Sequence, residues 1–188
     1  MSNEAADLDY ALLRRLARGE VQALEELIRR HERRLFQLAY RLLKDYQEAE
    51  DALQEVFLKV YEHARDFQPR STVRAWMNRI TANHCLNRLR ERQPLTSLDE
   101  ENAPSLQSLE ATPLEVLEEA DLARKLEELL AALPENQRRA LILKRFGHLS
   151  YQEIAEAMEI TPDAVDGLIK RARRFLRLHL KDYFSKDT

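Results

Sequence analysis

The chain is poor in the residues that make turns and cross-links. Its 188 residues include only three glycines, six prolines and one cysteine. An all-β fold needs many tight turns, and the chain has too few glycines and prolines to form them. A single thiol, Cys85, cannot form an internal disulfide. The sequence has no run of about 18 apolar residues, the length that a membrane-spanning helix needs. These absences exclude an all-β fold, a disulfide framework and a membrane-spanning protein.

The residues that are abundant favour helices. Leu, Ala, Glu and Arg dominate the composition, and 44% of the residues are hydrophobic, enough to bury a core. We therefore expect a soluble, all-α protein. The first residues, MSNEAADLDYALL, lack the basic and apolar segments of a secretory signal. Together with the lone cysteine, this favours a cytoplasmic location.

Charge is segregated along the chain, although the net charge is only -3. Seven arginines lie between residues 65 and 92, and a second basic block ends the chain's last predicted helix. Between them, residues 99–121 carry eight acidic and no basic side chains. Because salt screens charges over roughly 8 Å, each basic block can meet a polyanion despite the overall negative charge.

Apolar periodicity and helix breakers divide the sequence into two helical domains and a linker. Residues 1–92 form the first domain, residues 93–113 an extended acidic linker with three prolines, and residues 114–188 the second domain. The helices predicted for the first domain are Asp7–Arg18, Val21–Leu43, Gln47–Ala64 and Thr72–Glu91.

The second domain contains the pattern of a helix-turn-helix. Ser150 and Glu153 have the spacing of a capping box, which marks the start of one helix. Thr161 suits the N-cap of the next helix, and Pro162 its first position. That second helix is apolar on one side and rich in lysine and arginine elsewhere, so it can pack by one face and meet phosphates with the other. A solvated basic face on an ordinary helix is the alternative, but the caps, turn and basic patch together favour DNA binding.

The two domains together resemble the extracytoplasmic-function sigma factors, the smallest class of bacterial transcription initiation factor. Three stretches carry the resemblance: EAEDALQEVFLKVYEHA at 48–64, STVRAWMNRITANHCLNRLR at 71–90 and LPENQRRALILKRFGHLSYQEIAEAMEITPDAV at 133–165. The resemblance implies a region 2 domain of four helices and a region 4 domain with the helix-turn-helix, joined by a flexible linker.

The resemblance also implies partners. Core RNA polymerase would be bound through its β′ clamp helices and its β flap. The residues that fall in the family's clamp-binding motif are Asp51, Gln54, Glu55 and Leu58. A merely solvated acidic face is the alternative for this helix. The other expected partners are promoter DNA and an anti-sigma factor, with no small-molecule substrate.

In the family, the fourth helix reads the minus-ten promoter element and the loop before it receives a flipped base. Amides and arginines on that helix can hydrogen-bond single-stranded base edges and phosphates. The resemblance assigns the helix contact to Arg79, Asn83 and Asn87, and the base pocket to Phe67, Arg70 and Ser71. We expect Trp76, on the same helix, to pack in the core.

The last helix would read the minus-thirty-five element. The residues assigned to it are Thr161, Pro162, Asp163, Asp166, Lys170, Arg171, Arg173 and Arg174. Two departures from the family pattern bear on this role. Glu159 stands where glycine is usual in the turn, at a cost of roughly 1 kcal/mol if the left-handed backbone is kept. Asp166 and Gly167 replace a basic residue and a serine, and a carboxylate there can accept from a cytosine amino group.

No catalytic or metal-binding pattern emerges from the remaining polar residues. The five histidines lack metal-ligand spacing, and three glycines cannot supply a phosphate-binding loop. We expect no enzymatic activity and no cofactor. Two alternatives to an initiation factor stay open: a sigma-like decoy that sequesters an anti-sigma factor, favoured by Glu159, Asp166 and Gly167, and a conventional repressor that uses only the helix-turn-helix.

Overall fold

A computed structural model describes residues 2–69, 71–92 and 124–185. Within these ranges every regular element is a helix, which confirms the all-α class. The predicted linker, residues 93–113, lies outside the described residues. The helices are α1 Ser2–Ala17, α2 Gln22–Leu43, α3 Tyr46–His63, α4 Val73–Arg92, α5 at 124–131, α6 Glu135–Arg145, α7 Tyr151–Met158 and α8 Pro162–Ser185. A short 3-10 helix, Ala64–Asp66, follows α3.

Contacts divide the chain into two compact units. The first comprises Met1–Pro94 and Ile142–Pro162, and the second comprises Leu95–Leu141 and Asp163–Thr188. The end of α6 and all of α7 therefore group with the four N-terminal helices.

The core of the first unit is built around α2, which packs against α1, α3 and α4. Leu27, Leu35 and Leu38 repeat at helical spacing and are fully buried. The inner face of α3 follows helical spacing: Ala49, Ala52, Leu53, Val56 and Val60 are all buried. α1 begins earlier than the predicted Asp7.

Local side-chain chemistry sets the helix boundaries of this unit. Asp45 caps α3 by accepting a hydrogen bond from the Glu48 backbone N–H at 2.9 Å. The Thr72 hydroxyl accepts one from the Ala75 N–H at 3.2 Å at the start of α4. Gly19, which follows α1, has φ +93°, a conformation that glycine adopts without strain.

A buried polar cluster joins α1 to α2. Asp9 receives a hydrogen bond from Arg30 Nε at 2.7 Å and lies 3.0 Å from His31 Nε2. Arg34 Nη2 lies 2.7 Å from His31 Nδ1. Because a guanidinium can only donate, this nitrogen must be unprotonated, so the His31 ring is neutral. Burial lowers the pKa of His31 below its usual 6.5, although the Asp9 carboxylate acts in the opposite direction.

Stability should therefore fall in mild acid. Burial lowers the pKa of both His31 and His84, so below about pH 6.5 the unfolded chain binds protons that the folded chain does not. The free energy of unfolding is expected to decrease below that pH by up to ~1.4 kcal/mol per pH unit for each of these histidines. Urea unfolding across this range measures the slope, which should be shallower in His31→Gln. An unchanged free energy of unfolding down to about pH 5.5 would contradict this assignment.

The turn between α6 and α7 is not a simple glycine stop. The left-handed residue is His148, at φ +53°, and not Gly147. Gly147 is required for another reason: a Cβ there would lie 2.6 Å from the Leu143 carbonyl oxygen. Glycine thus permits close backbone packing, and the following residue makes the turn.

Helix α7 has the ends that were predicted. Ser150 and Glu153 form both bonds of the capping box. Glu159 ends the helix in the left-handed conformation, at φ +59°. α8 then begins at Pro162, where the missing N–H costs no helical hydrogen bond. Ile154 and Ala155 are buried on the inner face of α7.

The second unit has a smaller core. Leu130, Leu133 and Ala172 are buried, with Leu141, Phe175 and Leu176 packed against them. Arg138 is also buried, and it donates to the Ala131 carbonyl at 3.3 Å and to Glu135 at 2.7 Å. These two acceptors satisfy a charge that would otherwise be costly to bury.

Candidate functional site

An open apolar groove lies between α2 and α3. Its volume is about 770 Å³, and most of its lining is aliphatic or aromatic. Gln54 and Leu58, two of the predicted docking residues, belong to its wall. Leu58 is 61% exposed, unusual for a leucine in a helix with a well-packed inner face. The full lining is Leu24, Ile28, Glu32, Arg33, Phe36, Tyr46, Glu50, Leu53, Gln54, Phe57 and Leu58.

Asp51 and Glu55, the other two predicted docking residues, differ in their contacts. Asp51 is exposed on the outer face of α3. Glu55 is exposed as well, but its carboxylate lies 2.5 Å from Arg88 Nη2 and 3.4 Å from His84 Nε2, both on α4. Glu55 therefore already holds α3 against α4. Sequence reasoning missed this pairing because α4 was considered separately.

The amides predicted to read single-stranded DNA are accessible. Asn83 and Asn87 are both exposed on α4, and Arg79 is half-exposed. Asn87 Oδ1 accepts a hydrogen bond from Arg90 one turn further on. These side chains present donors, acceptors and positive charge on one helix, the combination needed to bind unpaired bases and phosphates.

Trp76 is 8% exposed, which confirms the prediction that it packs in the core. Elsewhere on α4, Ala82 and Leu86 are buried, whereas Ala75 and Leu89 are only half-buried.

The loop before α4 is anchored by Phe67. The centroid of its ring lies 5.3 Å from that of Trp76 in an edge-on contact, and 6.2 Å from that of Tyr10 on α1. Ser71 is exposed, and Arg70 lies outside the described residues. The base pocket predicted for Phe67, Arg70 and Ser71 stays a prediction.

Sequence reasoning missed Asn78. This side chain is fully buried in α4 and donates from Nδ2 to the Gly147 carbonyl at 2.8 Å. A signal was present, because Ala75, Asn78, Ala82 and Cys85 follow one another at spacings of three, four and three. An amide on such a stripe indicates a buried polar partner.

The eight predicted minus-thirty-five residues lie at the start and along the first half of α8; most are exposed, and four of them are basic. Arg171, Arg173 and Arg174 are exposed, as are Thr161, Pro162 and Asp163 at the helix start. Lys170 Nζ lies 2.6 Å from Asp166 Oδ2, so these residues form an ion pair one turn apart. A Cβ at Gly167 would lie 3.3 Å from Arg171 Nη1, so the glycine leaves room for that guanidinium.

The described residues hold no group of three or more histidine, cysteine or acidic side chains that could bind a metal ion. Burial raises the pKa of the Cys85 thiol to about 12, which makes it a poor nucleophile. None of the described helices is both long and apolar enough to cross a membrane.

Comparison with known proteins finds sigma-70 family models and sigma factors. Residues 27–94 match the family model of Sigma-70 region 2, and residues 123–176 match that of Sigma-70 region 4. The chain is 32% identical to the RNA polymerase sigma-H factor of Pseudomonas aeruginosa, over 88% of this chain and 90% of that protein. It is 32% identical to the ECF RNA polymerase sigma factor SigE of Mycolicibacterium smegmatis, over 87% of this chain but 62% of that longer protein.

A solved structure is also similar. It is the structure of CnrH in complex with the cytosolic domain of CnrY, with a TM-score of 0.60 and 25% sequence identity. The match covers 93% of this chain and 98% of the matched chain.

Proposed function

The chain belongs to the extracytoplasmic-function (ECF) class of the sigma-70 family, and on this premise we propose how it joins core RNA polymerase and reads a promoter. It is a transcription initiation factor that directs RNA polymerase to promoters. Its own part is binding and not catalysis, and it acts in the bacterial cytoplasm, where polymerase and DNA meet. The relatives named above are sigma factors, and nothing in them favours a decoy.

The groove between α2 and α3 is the observation that carries the docking proposal. A helix of the polymerase β′ clamp lies along it, with Leu58 as the apolar anchor. Asp51 and Gln54 accept hydrogen bonds from basic groups at the rim. Glu55 contributes by holding α3 on α4 through Arg88, and so fixes the shape of the docking face. The β flap binds the second domain.

Helix α4 reads the minus-ten element. Asn83 and Asn87 bind the edges of unpaired bases, and Arg79 binds the neighbouring phosphate. Phe67, Arg70 and Ser71 receive a flipped base. The edge-on contact of Phe67 with the buried Trp76 supports this role, because it fixes one wall of the pocket on the core.

Helix α8 reads the minus-thirty-five element in the major groove. Arg171, Arg173 and Arg174 bind phosphates, and Thr161, Pro162 and Asp163 lie at the helix start, the part that enters the groove in helix-turn-helix proteins. The Lys170–Asp166 ion pair supports a positioning role for Asp166, whose carboxylate can also accept from a cytosine amino group.

An anti-sigma factor is a further proposed partner. The matched structure contains CnrH together with the cytosolic domain of CnrY. By analogy, a peptide partner of this chain competes with polymerase for the apolar groove, because one exposed apolar surface cannot hold both at once.

Reconstituted transcription tests the proposal. The purified chain is mixed with bacterial core polymerase and a library of promoter fragments, and the 5′ ends of the transcripts are sequenced. We expect start sites that depend on the chain and share two upstream elements. Absence of any chain-dependent start site contradicts the proposed function.

Asn83→Ala should change minus-ten selection. Removing an amide that binds a base edge weakens discrimination by about 1 to 3 kcal/mol at that base. The expected result is a relaxed preference at one minus-ten position, with the minus-thirty-five preference unchanged. Gln152→Ala, an exposed amide on α7, is the matched control. The same base preferences in Asn83→Ala and wild-type transcripts would show that Asn83 is not a reader.

A further inference from the structure

Three aromatic rings in successive contact lead from the core of the first unit to its surface. Trp76 is only 8% exposed, and the Phe67 ring centroid lies 5.3 Å from that of Trp76. The Tyr10 ring centroid on α1 lies 6.2 Å from that of Phe67. Tyr10 is 38% exposed. An exposed ring therefore lies directly beside the loop that is proposed to receive a flipped base.

Two contacts fix Tyr10 in this position. The preceding residue on α1, Asp9, is buried and accepts a hydrogen bond from Arg30 Nε at 2.7 Å, which sets the rotation of the helix. Arg65 Nε, in the 3-10 helix that precedes the loop, donates to the Ala17 carbonyl at the end of α1 at 2.9 Å. The place of the ring beside the loop is thus built into the fold.

A positive charge accompanies the ring. Arg14 lies one helical turn after Tyr10, and its guanidinium carbon is 6.0 Å from the Tyr10 ring centroid. That distance is at the limit for a cation–π contact, so the contact is weak. Arg14 is exposed. The next residue, Arg15, is paired with Glu20 at 2.8 Å, whereas the described residues place no carboxylate against Arg14. The Arg14 guanidinium is therefore available to an anion.

An exposed aromatic ring with an arginine one turn away is a combination that binds unpaired nucleotides. The ring stacks on a base, and the guanidinium binds a phosphate. Bases stacked along one strand are about 3.4 Å apart, whereas the Phe67 and Tyr10 centroids are 6.2 Å apart. The two rings therefore suit successive bases of a strand whose stacking is broken, as it is beside a flipped base.

We propose that Tyr10 and Arg14 form a second nucleotide site, which holds the base next to the flipped one. Tyr10 stacks on that base, and Arg14 binds a phosphate beside it. The inference rests on the proposed function of the loop before α4. Because every base has a π-face, the site increases the affinity for the melted strand without selecting a sequence. Its effect thus differs from that of Asn83, which is proposed to select one base.

Two substitutions of Tyr10 separate stacking on DNA from packing in the protein. Tyr10→Phe keeps the ring, whereas Tyr10→Leu keeps an apolar side chain against Phe67 but loses the π-face. Each full-length chain is assembled with core polymerase and bound to promoter fragments from the transcription assay, in which changes to the template strand alone leave the minus-ten region unpaired. We expect ~10-fold weaker binding for Tyr10→Leu on every fragment and wild-type binding for Tyr10→Phe. Tyr61→Leu, at an exposed tyrosine of α3, is the matched control and should bind like the wild type.

The base analogue 2-aminopurine locates the site on the DNA. Its fluorescence is quenched by stacking, so it is placed at each minus-ten position of the unpaired strand in turn. One position should be quenched in the wild-type complex and in the Tyr10→Phe complex, and should brighten in the Tyr10→Leu complex. That position should be next to the flipped base.

The phosphate contact has its own measurement. Arg14→Gln should reduce the slope of log affinity against log salt by about 0.7, the value for one phosphate of a single strand. Arg15→Gln is the matched control, because Arg15 points about 100° away around α1 and is paired with Glu20. It should leave the slope as it is.

Wild-type affinity in Tyr10→Leu overturns the inference. An equal loss in Tyr10→Phe and Tyr10→Leu also overturns it, as does a loss without any 2-aminopurine position that brightens, because the ring would then only support Phe67. An unchanged slope in Arg14→Gln rejects the phosphate contact. Transcription by the wild-type holoenzyme is scored separately: its absence contradicts the proposed function, whereas its presence with unaffected Tyr10 variants rejects the second nucleotide site alone.

Discussion

Leu58→Glu should weaken association with core RNA polymerase by about 100-fold. The leucine side chain contributes roughly 1.5 to 3 kcal/mol when an interface buries it fully, and a carboxylate in the same apolar groove adds a desolvation cost. Folding should be unaffected, because Leu58 is 61% exposed in the free chain. Native gel shift or surface immobilisation of core polymerase measures the change.

A matched control is available on α1. Leu8 is 46% exposed and does not line the groove, so Leu8→Glu introduces the same chemistry elsewhere. Its affinity for polymerase should equal that of the wild type. If Leu58→Glu also binds like the wild type, the groove between α2 and α3 is not the docking site.

Arg173→Ala combined with Arg174→Ala should weaken promoter binding by the holoenzyme broadly. Removing one arginine from a DNA phosphate reduces the slope of log affinity against log salt by about 0.9, so the slope of the double variant should be smaller by nearly 2 units. At moderate salt the affinity should fall by about 10- to 100-fold on every promoter tested, without a change in preferred sequence.

Binding of the holoenzyme to one promoter at several salt concentrations gives this slope. Lys125→Ala on α5 removes a basic charge from a residue paired with Glu128, and it should leave the slope as it is. A double arginine variant with the wild-type slope, or one that changes sequence preference, would contradict phosphate binding by these two residues.

Much of the fold could be predicted from the sequence because its determinants are local. The apolar stripe of α2 and the inner face of α3 follow from helical periodicity. The start of α7 follows from the Ser150 and Glu153 capping box, and the start of α8 from Pro162. In each case the interacting residues lie within one or two turns, so their spacing in the sequence is their spacing in the structure.

Contacts between distant segments could not be predicted in this way. The Asn78–Gly147 hydrogen bond joins residues 69 positions apart, and Glu55 pairs with Arg88 across 33 positions. Nothing in the local pattern selects these partners from the many arginines and amides of the chain. The left-handed conformation at His148 was missed for a related reason: glycine normally takes that position, but Gly147 is needed for close packing against Leu143.

The edge-on packing of Phe67 against Trp76 also makes the tryptophan fluorescence sensitive to the loop before α4. Trp76 is the only tryptophan in the chain, so its fluorescence reports on one place. A nucleobase that displaces or stacks on the Phe67 ring alters the surroundings of that indole and hence its emission. If Phe67 receives a flipped base as proposed above, Trp76 emission should report the opening of promoter DNA in real time from this unlabelled subunit.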